Sequence, residues 1–319
     1  KYLHKDKFVI CIAGTHGKST TTTMVGKLLI EAKLDPTVEV GAVVPEWNGG
    51  DRIGKSKYFV SEADEFYSNF LHYHPNITIL NNIEFDHPEY FKTLDNMLDI
   101  FQKLVDQTDL LIYNTDSPLI HKLVLPKNSI PYSAKEFPKD LILKVPGVHN
   151  KANAMGVIKL AEILKINYKK TLENFSGIDR RLQELDTVNG ITVIDDYANH
   201  PTAFQSNIKA LREKYSGKPI WVVIEPHTFS RLRAVLPDLA PALKDADHVI
   251  ISKIFASREA DPGDFSGADI AKAIPGALYL PEFSSIIQYL ISNIQPQSVI
   301  LVMGSGNSDK LAREILQRL

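Results

Sequence analysis

FVICIAGTHGKST, residues 8–20, joins an apolar, β-branched run to a glycine-rich turn and then to a Ser-Thr run opening a helical stretch. A strand that runs through Gly-Lys-Ser into a helix predicts a phosphate-binding loop, because successive backbone N–H groups and a helix N-terminus attract an anion. The full Walker pattern has a glycine five residues before Gly17, and Ile12 stands there instead. What remains is Gly14, Thr15, His16, Gly17, Lys18, Ser19 and Thr20. These keep the binding parts: Lys18 to reach the terminal phosphates and the Ser19 hydroxyl to ligate Mg²⁺. The plainer alternative is a glycine-rich turn with an incidental lysine.

Working outward, KYFVSEA (57–63), ITILNNI (77–83) and LLIYN (110–114) read as strands, with NMLDIFQKLVDQ (96–107) helical between the last two. This alternation predicts an α/β domain with a mainly parallel sheet. PGVHNKANAMGVIKLAEILKI (146–166) predicts a long helix, KKTLENF (169–175) a short one, and SGIDRRLQEL (176–185) a polar break. A second α/β series follows: GITVIDDYA (190–198), a helix from about Pro201 to Tyr215, IWVVIEP (220–226), a helix through Leu243, HVIISKIF (248–255) and SVILVMGSG (298–306) with a closing helix. IWVVIEP and SVILVMG are nearly all apolar, as central strands covered on both faces would be. We therefore expect a P-loop-type α/β domain with a mainly parallel sheet over residues 1–176 and a Rossmann-like α/β domain over 177–319.

Composition narrows the function. The 319 residues are 44% hydrophobic and 23% charged, with net charge −2; no basic field advertises nucleic acid or an anionic membrane. No apolar stretch approaches the roughly 20 residues of a membrane span. Cys11 is the only cysteine, so no disulfide forms within the chain, which suits a cytoplasmic protein. The chain starts without Met, a few polar residues ahead of a core strand, and reads as a fragment or processed chain. The sequence leaves monomer and dimer equally open.

Two acidic clusters lie where open α/β sheets put their ligands, at the carboxyl ends of strands. In SEADEF (61–66), Glu62 and Asp64 point the same way if the strand continues, with Glu65 opposite. Mg²⁺ takes hard oxygen ligands, so one or two of these carboxylates could hold it beside the phosphates; a solvated acidic loop is the alternative. ITILNNIEFDHPEYF (77–91) ends in Glu84, Asp86 and His87, a candidate second-metal or phosphate site.

GTHGKST, EADE, NNIEFDH, PGVHNKANA, GIDRRLQE, DDYANHPTA and EPHTFSR occur in this order between residues 14 and 231. Together they resemble the Mur ligases, ATP-dependent enzymes that add amino acids or peptides to UDP-N-acetylmuramic acid, whose loop also lacks the outer Walker glycine. The resemblance implies a central ATP-binding domain and a C-terminal amino-acid domain. Set against the family pattern, this chain is expected to lack the N-terminal UDP-binding domain, and the stretch between IYNTDSP and VPGVHN looks short, so that part of the central sheet is missing.

By resemblance, Lys18 contacts the β- and γ-phosphates, with Gly14, Thr15, His16, Gly17 and Thr20 lining the loop. Ser19 and Glu62 hold one Mg²⁺ and His87 a second metal. Asn150 and Asn153, which share a helix face at i and i+3, meet adenine; Asn150 could equally cap its helix. Arg181, rather than Arg180, reaches the phosphates, and Asp196 meets the ribose. Arg231 captures the carboxylate of the incoming amino acid, with Tyr197, His200 and His227 around it. Asn199 stands where alanine-adding members usually carry His. HTFSR looks like the branch that adds L-alanine, while HYHPNITILNNIEFDH also resembles the branch that reattaches a murein tripeptide. The cofactors implied are ATP and Mg²⁺, with UDP-N-acetylmuramate and L-alanine as substrates. Two other readings stand beside these: a nucleotide-binding fragment inactive alone, and a kinase or GTPase, for which NTDS (114–117) is a poor guanine signature. The folylpolyglutamate synthetases share the architecture, but EPHTFSR and DDYANHP argue against them.

Overall fold

The computed structural model describes residues 4–319 and divides the chain into two compact units, residues 1–179 and 180–319. In the first, β1 (Phe8–Ala13) and α1 (Lys18–Glu31) lead to β2 (Thr37–Val44), β3 (Gly49–Arg52), β4 (Tyr58–Glu62) and β5 (Ile77–Leu80). Then come α2 (Pro88–Phe91), α3 (Leu94–Asp106), β6 (Leu110–Asn114), β7 (Ser129–Tyr132), α4 (Val148–Leu164) and α5 (Lys169–Asn174). The sheet order is β3-β2-β4-β1-β5-β6-β7, and only β2 with β3 is antiparallel.

The alternation of β1 explains its central place. Ile10 and Ile12 pack with Met24, Val25 and Leu28 of α1 and Ala154, Val157 and Ile158 of α4. Val9, Cys11 and Ala13 face the other way, against Phe101 and Leu104 of α3. Each fully buried aliphatic side chain contributes about 1.5–3 kcal/mol before entropy is counted, so a strand apolar on both faces has no stable place at an edge.

The second unit runs β8 (Gln183–Val188), β9 (Ile191–Asp196), α6 (Pro201–Lys214), β10 (Ile220–Ile224), α7 (Phe229–Leu243) and β11 (His248–Ile251). It continues through α8 (Gly267–Ala273), β12 (Leu278–Tyr279), α9 (Phe283–Asn293), β13 (Val299–Met303) and α10 (Ser308–Arg318). The order is β12-β11-β10-β13-β9-β8, with β8 alone antiparallel to its neighbour. β10 and β13 are the middle pair, as their apolar composition implied. α6, α7 and α8 cover one face and α9 and α10 the other.

The structure differs from the sequence reading in three places. Residues 183–185, the end of the stretch read as a polar break, open the edge strand β8 (Gln183–Val188), whose half-exposed side chains leave no apolar run. The stretch between Asn114 and Val145 contributes β7, which closes one edge of the first sheet. α7 starts at Phe229, after Thr228 at φ 60, so His227 precedes the helix that carries Arg231. Among the described residues no helix is long and apolar enough to cross a membrane.

Candidate active site

β1 lies between β4 and β5, so the turn after β1 opens where strand order reverses, the ligand end of open α/β sheets. Gly14 and Gly17 have φ of 133° and 80°, values that L side chains rarely adopt. A Cβ at Gly14 would meet the Asn82 carbonyl at 2.7 Å, and one at Gly17 would meet Asn153 Oδ1 at 2.4 Å. The loop is stapled to the segment after β5. Thr15 Oγ1 donates to the Glu84 carbonyl and accepts from the Glu84 N–H, both at 2.9 Å. The His16 N–H donates to Asn82 Oδ1 (2.8 Å), Asn82 Nδ2 donates to the His16 carbonyl (3.0 Å), and His16 Nε2 lies 2.7 Å from Glu84 Oε2.

Lys18 Nζ donates to the Gly14 carbonyl and to Glu65 Oε2, each at 2.7 Å. Glu65, assigned by strand alternation to the opposite face from Glu62, is thus the lysine's partner. β4 ends at Glu62 and the chain enters a 3₁₀ turn at Phe66, so the period of two never reaches Glu65. Burial opposes both charges and lifts the Glu65 carboxyl. Glu65, with Asp64 and Glu62, outweighs that cost at Lys18 and holds its ammonium above the ordinary value across the 2.7 Å contact.

Ser19 Oγ donates to Glu62 Oε1 at 3.0 Å, and Glu62 Oε2 accepts from the Gly41 N–H at 2.7 Å. A hydroxyl and a carboxylate in contact form a hard-oxygen pair that fits Mg²⁺. His87 caps α2 at φ 55. Its Nδ1 lies 3.2 Å from Glu89 Oε1 and its ring 4.6 Å from the Phe66 ring. Thr20 is buried in the first turn of α1. Asn150 and Asn153 are buried on one face of α4, and Asn153 Nδ2 reaches Asn150 Oδ1 at 3.5 Å. Asn150 also donates to the Pro146 carbonyl at 2.7 Å; the N-cap of α4 is Gly147 and no side chain caps the helix there, so the capping alternative for Asn150 does not hold. Next to it, burial and then the charge of His16 push His149 down to about 4.

In the second unit the carboxyl ends of β9, β13 and β10 are adjacent. Arg180 Nη2 donates to the Gly304 carbonyl (2.7 Å) and Ser308 Oγ (3.0 Å), and its Nε lies 3.5 Å from Asp195 Oδ2. Asp195 is fully buried, its oxygens accept no hydrogen bond among the described residues, and burial lifts its carboxyl to about 6 against the pull of Arg180. Asp196 accepts from the N–H groups of Leu182 and Ala198, both at 2.7 Å, so its carboxylate builds the turn after β9. Arg181 stands 5.1 Å from the Tyr197 ring centre, and Arg180 4.9 Å from the same ring.

His200 is the N-cap of α6, its Nδ1 accepting from the Thr202 N–H at 3.4 Å. Asn199 Nδ2 donates to Ser305 Oγ at 3.2 Å. His227 Nδ1 and Arg231 Nη1 meet at 3.0 Å across the start of α7. Thr228 between them has a left-handed backbone that β-branched residues rarely tolerate, the kind of strain found at ligand clamps. Sequence reasoning missed Glu65, Arg180, Asp195 and Glu225. Glu225 Oε2 accepts from the Ser308 N–H at 2.9 Å, and its one signal was an acid ending an otherwise apolar strand.

A stapled glycine-rich loop with Lys18, Ser19 and acidic partners, followed by a second α/β unit rich in buried charge, fits a nucleotide-dependent enzyme. Residues 12–141 match the Mur ligase middle domain and residues 180–306 the Mur ligase glutamate ligase domain. The chain belongs to the Mur ligase family. It is 34% identical to UDP-N-acetylmuramate–L-alanine ligase of Acetivibrio thermocellus, an alignment covering 99% of this chain and 75% of the relative. The UDP-N-acetylmuramate–alanine ligase of Thermotoga maritima superimposes with a TM-score of 0.82 at 25% identity, over 99% of this chain and 76% of that one. A murein peptide ligase from Psychrobacter arcticus shares the fold, with a TM-score of 0.70 at 23% identity over 99% of this chain and 78% of that one.

Proposed function

We propose that this chain carries out ATP-dependent amide-bond formation, adding L-alanine to UDP-N-acetylmuramate during peptidoglycan precursor synthesis. The observation that carries the reading is the match along 99% of the chain, at 34% identity, to a ligase of that name. The γ-phosphoryl of ATP passes to the lactyl carboxylate, giving an acyl phosphate and ADP. The neutral amine of L-alanine attacks the acyl carbon, phosphate leaves, and the amine proton passes to solvent or base. Such transfer depends on positioning and charge neutralisation.

Lys18 holds the β- and γ-phosphates, with Gly14, Thr15, His16, Gly17 and Thr20 around them. Ser19 and Glu62 would hold one Mg²⁺ and His87 a second, supplying charge neutralisation at the transferring group. Asn150 and Asn153 face adenine, Asp196 the ribose, and Arg181 the phosphates. His227 and Arg231, already in contact, receive the amino-acid carboxylate, the guanidinium fork matching it in two-point fashion, with Tyr197 and His200 nearby. ATP use and a buried Cys11 thiol support action in the cytoplasm.

Phosphate release is the test, measured with ATP, Mg²⁺, UDP-N-acetylmuramate and either L-alanine or the murein tripeptide. Release with L-alanine supports the reading. Release with the tripeptide alone transfers the protein to the recycling branch, and release with neither refutes ligation.

A further inference from the structure

Lys18 is the cation that the loop directs at phosphate, yet it is already engaged. Glu65 lies 2.7 Å from its ammonium, with the two side chains 12% and 3% exposed. Asp64 and Glu62 act on the same charge from the end of β4. Glu84, the remaining carboxylate of the loop, faces His16 instead. One ammonium therefore answers to three carboxylates, which leaves a bare polyphosphate mainly the backbone N–H groups and the start of α1. At short range inside a protein, each such charge weighs far more than in water.

We infer that Glu65 makes polyphosphate binding conditional on a divalent cation: by holding Lys18, it excludes nucleotide that arrives without metal. The cation, seated on the Ser19–Glu62 oxygen pair, supplies the positive charge that Glu65 cancels. Glu65 thus selects the metal complex of the nucleotide over the free form, so a futile complex lacking metal does not occupy the site. The inference rests on the proposed ATP site and adds the form in which ATP is accepted.

The experiment is isothermal titration of the full chain with an imido analogue of ATP, once in Mg²⁺ and once in EDTA. Wild type should bind at least about a hundredfold more weakly in EDTA. Glu65→Gln keeps the shape and an acceptor for Lys18 but removes the charge, and should raise affinity in EDTA by about tenfold or more. Any gain in Mg²⁺ should be smaller, so the ratio of the two affinities falls. Thermal melting confirms that the variant is folded. Glu65→Asn, which also removes the charge and keeps an acceptor for Lys18, serves if the Gln form is unstable, with the same expectation. An unchanged Mg²⁺-to-EDTA ratio in a folded variant overturns the inference. Loss of binding in Mg²⁺ does so too, because it makes Glu65 a positioning residue for Lys18. Wild type that binds the analogue in neither buffer removes the ATP reading itself, whereas wild type that binds with an unaltered ratio in the variants removes only this inference.

Discussion

Replacing Lys18 by Met should destabilise the first unit even in the absence of any nucleotide. The substitution leaves Glu65, 3% exposed, with no cation. A solvent-exposed ion pair is worth about 0–1 kcal/mol, but removing one partner of a buried pair costs about 3–5 kcal/mol. Exposures of 12% and 3% place Lys18 and Glu65 in the second class. Replacing both, as Lys18→Met with Glu65→Leu, removes the stranded charge and should recover most of the loss. The double variant should then fold but bind no nucleotide, separating the loop's two roles. Urea unfolding can be followed through Trp47, which packs on the core of the first unit, in a Trp221→Phe background that silences the second. A loss below about 1 kcal/mol for Lys18→Met would show a water-screened pair and refute the argument, as would a double variant no more stable than the single one.

Three further outcomes follow from the geometry. Gly17→Ala should lower nucleotide affinity and cost about 1 kcal/mol or more of stability; adding Asn153→Ala relieves the 2.4 Å clash but not the backbone strain, so stability should return only in part. Arg180→Lys loses the bonds to Gly304 and Ser308 and should destabilise the second unit by about 1–3 kcal/mol, read from Trp221 in a Trp47→Phe background. Arg181→Lys should leave that transition in place and slow ligation. Asp195 titrates near 6 when folded against 3.8 ordinarily, so the folded unit takes up a proton that the unfolded chain does not between those values. Its burial therefore costs most above about pH 6, and the cost is relieved as pH falls. Asp196 and Glu225 are raised by burial too, so the informative quantity is the difference between wild type and Asp195→Asn: the rise in stability on acidification should be shallower in the variant.

Much of the architecture was legible without coordinates. A parallel strand buried on both faces must be apolar throughout, and the helix after it must carry one apolar stripe, so β1, β10 and β13 announce themselves by composition. The loop was legible for the same local reason: Gly14 and Gly17 mark positive φ, and Lys18-Ser19 follow within the same turn. The edge strands β3 and β8 were not, because half their side chains face water and no run survives.

By itself, then, the sequence determined the fold class, the glycine-rich turn between β1 and α1 and the order of the family motifs, all of which depend on neighbours within one element. Only the tertiary structure decided which carboxylate meets Lys18, which arginine anchors to Asp195, and how His227 reaches Arg231. The first partnership spans 47 positions and turns on where β4 stops. Arg180 and Asp195 meet because the polar segment at 183–188 folds back beside β9, and the last contact survives a helix start displaced by one strained threonine. Distance along the chain and the ending of a period are what local pattern does not encode.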